Sequence, residues 1–166
     1  MLRPILLCFA LIAASVGPAA AAKVNAVGQF KDWRVYTERV NGDLVCFAST
    51  SATDKAPKKV SHGDVSFYVA SWRSGAGANQ PSLKVGYDLR PDLPPEMVVG
   101  RQRWRMYSAD NEGFLEDKDE RAVVNALKKG SQLRVEAVSS RGTRTAYYFS
   151  LRGSSAAIDR ARSACR

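Results

Sequence analysis

Near its C-terminus the chain alternates apolar and polar side chains with a period of two, and a one-sided stripe of that period is buried as sheet, not as helix. Leu133, Val135 and Ala137 alternate with Arg134 and Glu136. Ser139-Ser140-Arg141-Gly142-Thr143 then supplies turn residues, with Gly142 placed to take a positive φ, and a second strand-like segment runs from Thr143 to Leu151. The same grammar recurs upstream. Phe30–Tyr36 is rich in aromatic and β-branched residues, and Leu44–Ala48 follows the hairpin signal Asn41-Gly42-Asp43. Val65–Trp72 is apolar on both faces, as a central strand is. Leu83, Val85, Tyr87 and Leu89 alternate with polar residues until Pro91, Pro94 and Pro95 end the pattern, because proline cannot donate to a ladder. Gln102, Trp104 and Met106 are expected to face inward, opposite Arg101, Arg103, Arg105 and Tyr107. These short strands predict an all-β, single-domain antiparallel β-sandwich or jelly-roll-like fold over residues 23–166, with a small closed barrel as the alternative.

Two short helices interrupt the strands. Asp117 is placed as an N-cap with Glu120 three residues on, a capping-box spacing, and Lys128 and Lys129 close the last turn before Gly130, a candidate left-handed C′ residue. Val123 and Leu127 share one face. Later, Ser154 or Ser155 can cap a segment in which Ala157, Ala161 and Cys165 recur every four residues, which points Cys165 toward the packed side.

Residues 1–22 read as a cleaved export signal: Arg3 supplies a positive start, Ile5–Val16 an apolar core, and Ala19–Ala22 the small residues before a cut near Ala22–Lys23. The apolar stretch falls short of the about 20 residues that span a bilayer. Cys8 follows Leu7, where a lipid-anchored cysteine needs a small residue before it. With the leader gone, no transmembrane segment is expected, and a periplasmic, secreted or surface location follows. The 25 basic residues less Arg3, against 16 acidic, give about +8, and two of the three cysteines remain. In an oxidising compartment Cys46 and Cys165 most simply pair with each other; the rival, free thiols or a redox pair, has no C-x-x-C spacing to support it.

Several short motifs fall in a recognisable order: Phe30-x-Asp32-Trp33-x-Val35, the strand holding Cys46 and Ser49, Gly86-Tyr87, Ala126-Leu127-Lys128-Lys129-Gly130, Ser139–Thr143, Ser150-Leu151-x-Gly153 and the closing Cys165. In this order the chain resembles the invasion-associated locus B family of exported alphaproteobacterial proteins over nearly the whole of residues 23–166. It departs from the family in the lysine-rich stretch Thr53–Gly63, where a Pro-Arg-rich one is usual. The resemblance implies a β-rich exported domain tied to envelope biology and, in some pathogens, to host-cell entry. It implies no particular chemistry.

The residues themselves argue against catalysis. His62 is the only histidine, and its neighbours Ser61 and Asp64 would point different ways along a loop, whereas a triad is assembled in space. Neither catalytic residues, a metal nor a cofactor is expected. The acidic run Asp110, Glu112, Glu116, Asp117, Asp119 and Glu120 fits a calcium loop poorly, because the template's first and last ligands would fall on Ser108 and Asp119. The better candidate is anion binding. Arg101, Arg103 and Arg105 on one strand face would stand about 7 Å apart, within a Debye length of about 8 Å, so their fields add. Tyr107 extends the row, Lys55, Lys58, Lys59, Lys84 and Arg90 can join it, and Arg141 offers a further cation. The partner expected is an envelope component or a protein whose identity the sequence does not give; for a patch of this charge an anionic one, such as lipopolysaccharide or lipid head groups, fits. The competing explanation is protection of a sheet edge by charge. These features predict a non-enzymatic envelope or surface binding protein, contributing to host-cell invasion or envelope stress tolerance. The alternative is a periplasmic hydrolase of an envelope polymer, which would need two carboxylates about 5–9.5 Å apart across one cleft. Trp33 and Trp72 are both assigned to the core.

Overall fold

The computed structural model describes residues 23–166; the export-signal expectation, with its cut near Ala22 and the reading of Cys8, lies outside the described residues. The fold begins with hairpins. Strands β1 (Asn25–Phe30) and β2 (Trp33–Val40) reverse at Lys31-Asp32, where Lys31 has φ 54°. The expected continuous strand Phe30–Tyr36 is therefore two strands: Asp32 N–H leaves the ladder to donate to Arg152 O at 3.2 Å. Asn41 and Gly42, with φ of 50° and 87°, make the two-positive-φ turn that their sequence predicts and lead into β3 (Asp43–Ser51).

Further strands are β4 (Asp54–Ala56), β5 (Ser66–Trp72), β6 (Gln80–Lys84), β7 (Glu96–Val99), β8 (Gln102–Arg105), β9 (Tyr107–Ala109), β10 (Glu112–Phe114), β11 (Gln132–Val138) and β12 (Arg144–Ser150). They form a seven-stranded sheet ordered β1-β2-β3-β5-β6-β10-β9 and a five-stranded sheet ordered β4-β12-β11-β7-β8, with antiparallel pairings throughout. The two sheets remain separate, so the architecture is sandwich-like and the barrel alternative is set aside. As expected, β5 is central, and its inward Phe67 and Val69 meet the other sheet, Phe67 lying 5.9 Å from Phe149 between ring centroids. Trp33, 0% exposed, anchors the same core and donates Nε1–H to Ser150 O at 2.9 Å.

Of the stretches that cross between the sheets, two are not legible as crossings from periodicity. The expected strand Leu83–Leu89 stops at Lys84; beyond it Leu89 N–H donates to Asp110 O at 2.8 Å and Arg90 N–H to Val138 O at 2.9 Å. Gly86 enforces the departure. A Cβ there would lie 2.7 Å from both the Gly63 Cα and the His62 carbonyl, so only two glycines allow the contact. The second crossing is at Met106, buried between β8 and β9, whose N–H donates to Pro95 O at 2.8 Å.

Helix α1 (Asp117–Lys129) buries Val123, Val124 and Leu127. Its N-cap is Glu116, not Asp117, and no side chain caps it, so the expected capping box is absent; acidic residues in the first turn and lysines in the last complement the helix dipole instead. Gly130 is extended rather than left-handed. It is confined by Val99 and Leu151, which a Cβ would meet at 2.5 and 2.9 Å. Helix α2 (Ser154–Ala164) starts after Gly153 at φ 93°, and neither Ser154 nor Ser155 caps it. Ser154 donates Oγ–H to Leu127 O at 2.7 Å and so fastens α2 to α1. Ala157 and Ala161 are buried as their spacing predicts, and Cys165 is disulfide-bonded to Cys46, Cα to Cα 5.7 Å across 119 residues.

Candidate functional site

Arg103 and Arg105 share the outward face of β8, but the row does not extend beyond them. Arg101 sits in the turn before β8, and Gln102, expected inward, is exposed, because β8 is the outermost strand of its sheet and its first residues overhang the core. Trp104 is half-buried against the core and Met106 is fully inside. Tyr107, expected to extend the row, belongs to the other sheet: the inward turn at Met106 carries the chain across, and Tyr107 packs beside Phe114 at 5.7 Å. Arg103 is ion-paired with Glu96. Lys58, Lys84 and Arg90 are likewise held by Asp54, Glu112 and Asp92, and Lys84 lies on the seven-stranded sheet, remote in topology from the row.

Arg105 leads to a different site. Across the outward face of the five-stranded sheet the register sets Arg105 opposite Glu96, Glu96 opposite Glu136, and Glu136 opposite Ala146; Arg144 is the next outward residue on β12. A groove of about 640 Å³ lies over these strands, lined by Arg105, Glu96, Glu136 and Arg144 and walled by Leu93 and Pro94. Three interstrand spacings of about 4.8 Å and one two-residue step of about 6.6 Å put the Arg105 and Arg144 backbones roughly 16 Å apart, on opposite sides of the groove. Glu96 is neutralised by Arg103, and Glu136 by Arg134, whose guanidinium lies 5.8 Å over the Tyr148 ring. Arg105 and Arg144 have no carboxylate partner among the described residues. Arg141 is exposed in the β11–β12 turn, where Gly142 has the expected positive φ of 84°, and the Arg90 guanidinium lies alongside. Sequence reasoning missed Glu96, Glu136, Arg134 and Arg144. Their signal was the outward parity of β7, β11 and β12, which identifies a shared face only once the strand order is known.

His62, expected in a polar loop, is 7% exposed. Its Nε2 lies 2.9 Å from Pro57 O, and its Nδ1 lies 3.1 Å from the Tyr147 hydroxyl. Tyr147 meets Tyr87 at 2.7 Å, and Tyr87 meets Thr145 Oγ1 at 2.7 Å, closing a polar chain between the sheets. Pro57 O accepts from Nε2–H, so in the neutral ring Nδ1 accepts from Tyr147. Burial, the largest cause, pushes the Tyr147 phenol far above its ordinary value, so it stays protonated. Both ring nitrogens are thus occupied, and the residue serves as a tie. Tyr147→Phe is expected to leave His62 Nδ1 without its donor and to cost about 1–3 kcal/mol, read as a lower urea midpoint at unchanged slope.

The acidic run is dispersed. Glu112 pairs with Lys84 on β10, Glu116 with Lys118, and Asp117, Asp119 and Glu120 belong to the first turn of α1. Among the described residues no three His, Cys, Asp or Glu side chains are grouped to hold a metal. Trp72, expected in the core, stands half-buried on the outward face of the seven-stranded sheet with its ring against Gly77. No helix among the described residues is long and apolar enough to cross a membrane. No family model, curated protein or solved structure matches the chain.

Proposed function

We propose that this chain is an exported, non-catalytic binding module of a bacterial envelope or cell surface, and that its groove between Arg105 and Arg144 takes the phosphate-bearing head groups of an anionic envelope component. The observation that carries the reading is the pair of guanidiniums, without a carboxylate partner among the described residues, on opposite sides of a groove whose other charges are already neutralised. Guanidinium forks match phosphate oxygens bidentately. The Cys46–Cys165 bridge supports an oxidising compartment, periplasmic or outside the cell. Resemblance to the invasion-associated locus B proteins supports a role at the envelope, in stress tolerance or host-cell invasion. Arg103, paired to Glu96 on an outermost strand, serves edge protection in this reading.

The test is flotation with phosphatidylglycerol-containing vesicles, with pure phosphatidylcholine vesicles and with lipopolysaccharide micelles. Binding to the two anionic surfaces and not to phosphatidylcholine is expected, falling steeply with salt. Arg105→Gln with Arg144→Gln should weaken it roughly tenfold or more while moving the melting temperature little, because exposed substitutions shift stability by about 0.5 kcal/mol or less. Arg101→Gln with Lys129→Gln, two exposed cations outside the groove, should leave it nearly intact. If the two pairs lose binding equally, diffuse basic charge is responsible and the groove is not the site.

A second reading has one observation in its favour. Glu96 and Glu136 are directly opposed on neighbouring strands, a pairing that sets Cβ atoms about 4.5–5.5 Å apart, comparable to the carboxylate spacing of a retaining glycoside hydrolase. Each is tied to an arginine, which favours binding over acid catalysis. Release of reducing ends from an envelope polysaccharide, abolished by Glu136→Gln, would reverse that preference.

A further inference from the structure

The outward face of the seven-stranded sheet carries aromatic residues where a solvent-facing strand usually carries polar ones. On one row the register sets Tyr36 beside Phe47, and on the next Ser49 beside Tyr68, then Ser82, Phe114 and Tyr107. Tyr36 stacks on Phe47 at 5.5 Å, and Phe47 meets Tyr68 edge-on at 5.8 Å. From β2 to β9 the array crosses five interstrand spacings, roughly 24 Å. Two shallow depressions of about 620 and 470 Å³ lie on this face and share Phe47 and Tyr68 as the ridge between them; Trp72 and Phe114 line the second. Helix α2 is bonded to the inward Cys46 of the same sheet and leaves the outward side uncovered.

Charge distinguishes the occupant. The protein carries a formal +9, yet the two depressions are lined by three cations, Lys31, Arg34 and Lys84, against three carboxylates, Asp32, Glu38 and Glu112. Lys84 and Glu112 already pair at 2.8 Å. An anionic polymer gains nothing from a balanced face. A second copy of the chain fits no better: a stable interface buries about 800 Å² per partner with few charges at its centre, and here Arg34 and Glu38 flank the aromatic ridge and would be desolvated. A neutral glycan suits both properties. The C–H face of a sugar ring packs on the electron-rich face of an aromatic ring, and its hydroxyls bond to the polar and charged groups that remain wet. We propose that this face binds a neutral glycan chain, several sugar rings long, with Tyr36, Phe47 and Tyr68 as the stacking platform. The site is independent of the arginine groove and lies on the opposite side of the sandwich.

The test uses chain beginning at Lys23 and three neutral probes: the hexasaccharides of β-1,4-glucose, α-1,4-glucose and β-1,4-N-acetylglucosamine. Binding is read by calorimetry and by tryptophan emission, with Trp72→Phe separating the contribution of Trp72 from those of Trp33 and Trp104. At least one probe is expected to bind, with little dependence on salt. Tyr36→Ala with Tyr68→Ala should weaken it roughly tenfold or more. The matching Tyr→Phe variants keep the ring and should retain most of it, which separates lost stacking from lost fold, and Arg105→Gln with Arg144→Gln should bind the glycan as the parent does. The proposal is overturned if no hexasaccharide binds, if binding survives both Tyr→Ala changes, or if high salt abolishes it. It is equally overturned if sedimentation shows a dimer that Tyr68→Ala dissociates.

Discussion

Replacing Cys46 and Cys165 by serine is expected to remove roughly 4–5 kcal/mol of stability. The bridge spans 119 residues, and the chain-entropy model assigns loops of that length about this much. Domains of this size hold about 5–15 kcal/mol in all, so the reduced form should melt roughly 10–15 °C lower. The loss should begin locally. Helix α2 is held by the bridge, by Ser154 to Leu127 O and by buried Ala157, Ile158 and Ala161, so without the bridge its last turn should be cut by protease before the sheets open. A melting temperature within a few degrees of the parent's, or thiols that alkylate in the native protein, would contradict this.

The second large effect is expected at Gly153. Its φ of 93° is one that L side chains rarely adopt, and a Cβ would lie 1.9 Å from the Phe30 carbonyl oxygen, on backbone that cannot rotate away. Gly75 provides the control, with φ of 84° and nothing within 4 Å of its Cβ. Gly75→Ala should cost only the left-handed penalty, about 1–2 kcal/mol. Gly153→Ala must also push β1 away from the start of α2, and is expected to cost about 3 kcal/mol or more by urea unfolding. Equal costs for the two would mean that the β1–α2 junction yields freely.

The strands that sequence revealed are those in which one local rule suffices. The alternation of Leu133, Val135 and Ala137, the Asn41-Gly42 turn and the doubly apolar β5 all hold. The failures occur where a distant partner decides. Lys31 turns the chain because Asp32 bonds to Arg152, more than a hundred residues on, and Gly86 leaves its strand because Gly63 occupies the space beside it. The short hairpin β9–β10 was hidden in a stretch whose acidic composition suggests a helix start or a metal loop. The caps failed for a related reason, since Ser154 spends its hydroxyl on Leu127.

The candidate sites show the same division. Arg105 is a candidate from sequence and structure alike, but its alternation with Arg101 and Arg103 names a strand face and says nothing about Glu96 or Arg144 across the sheet. Tyr68 and Trp72 were legible as members of an apolar strand, and that pattern alone reads as burial on both sides. Only the absence of a layer over the outward face among the described residues turns the same residues into a half-exposed platform. The cysteine pair, by contrast, was legible as a pair: reading residues 1–22 as a leader sets Cys8 aside, and the two cysteines that remain are the two the structure joins.

The most direct test of the anion groove is a backbone-amide chemical-shift map of the isotope-labelled protein titrated with phosphatidylglycerol nanodiscs, using phosphatidylcholine nanodiscs as reference. The expected result is a compact set of shifts at Leu93, Arg105, Arg144 and the outward residues of β11, with the Tyr36–Tyr68 face unmoved and the whole set lost in high salt. Shifts spread along Lys55, Lys58, Lys59 and the exposed faces of the helices, with none at Arg105 or Arg144, would contradict the proposed site.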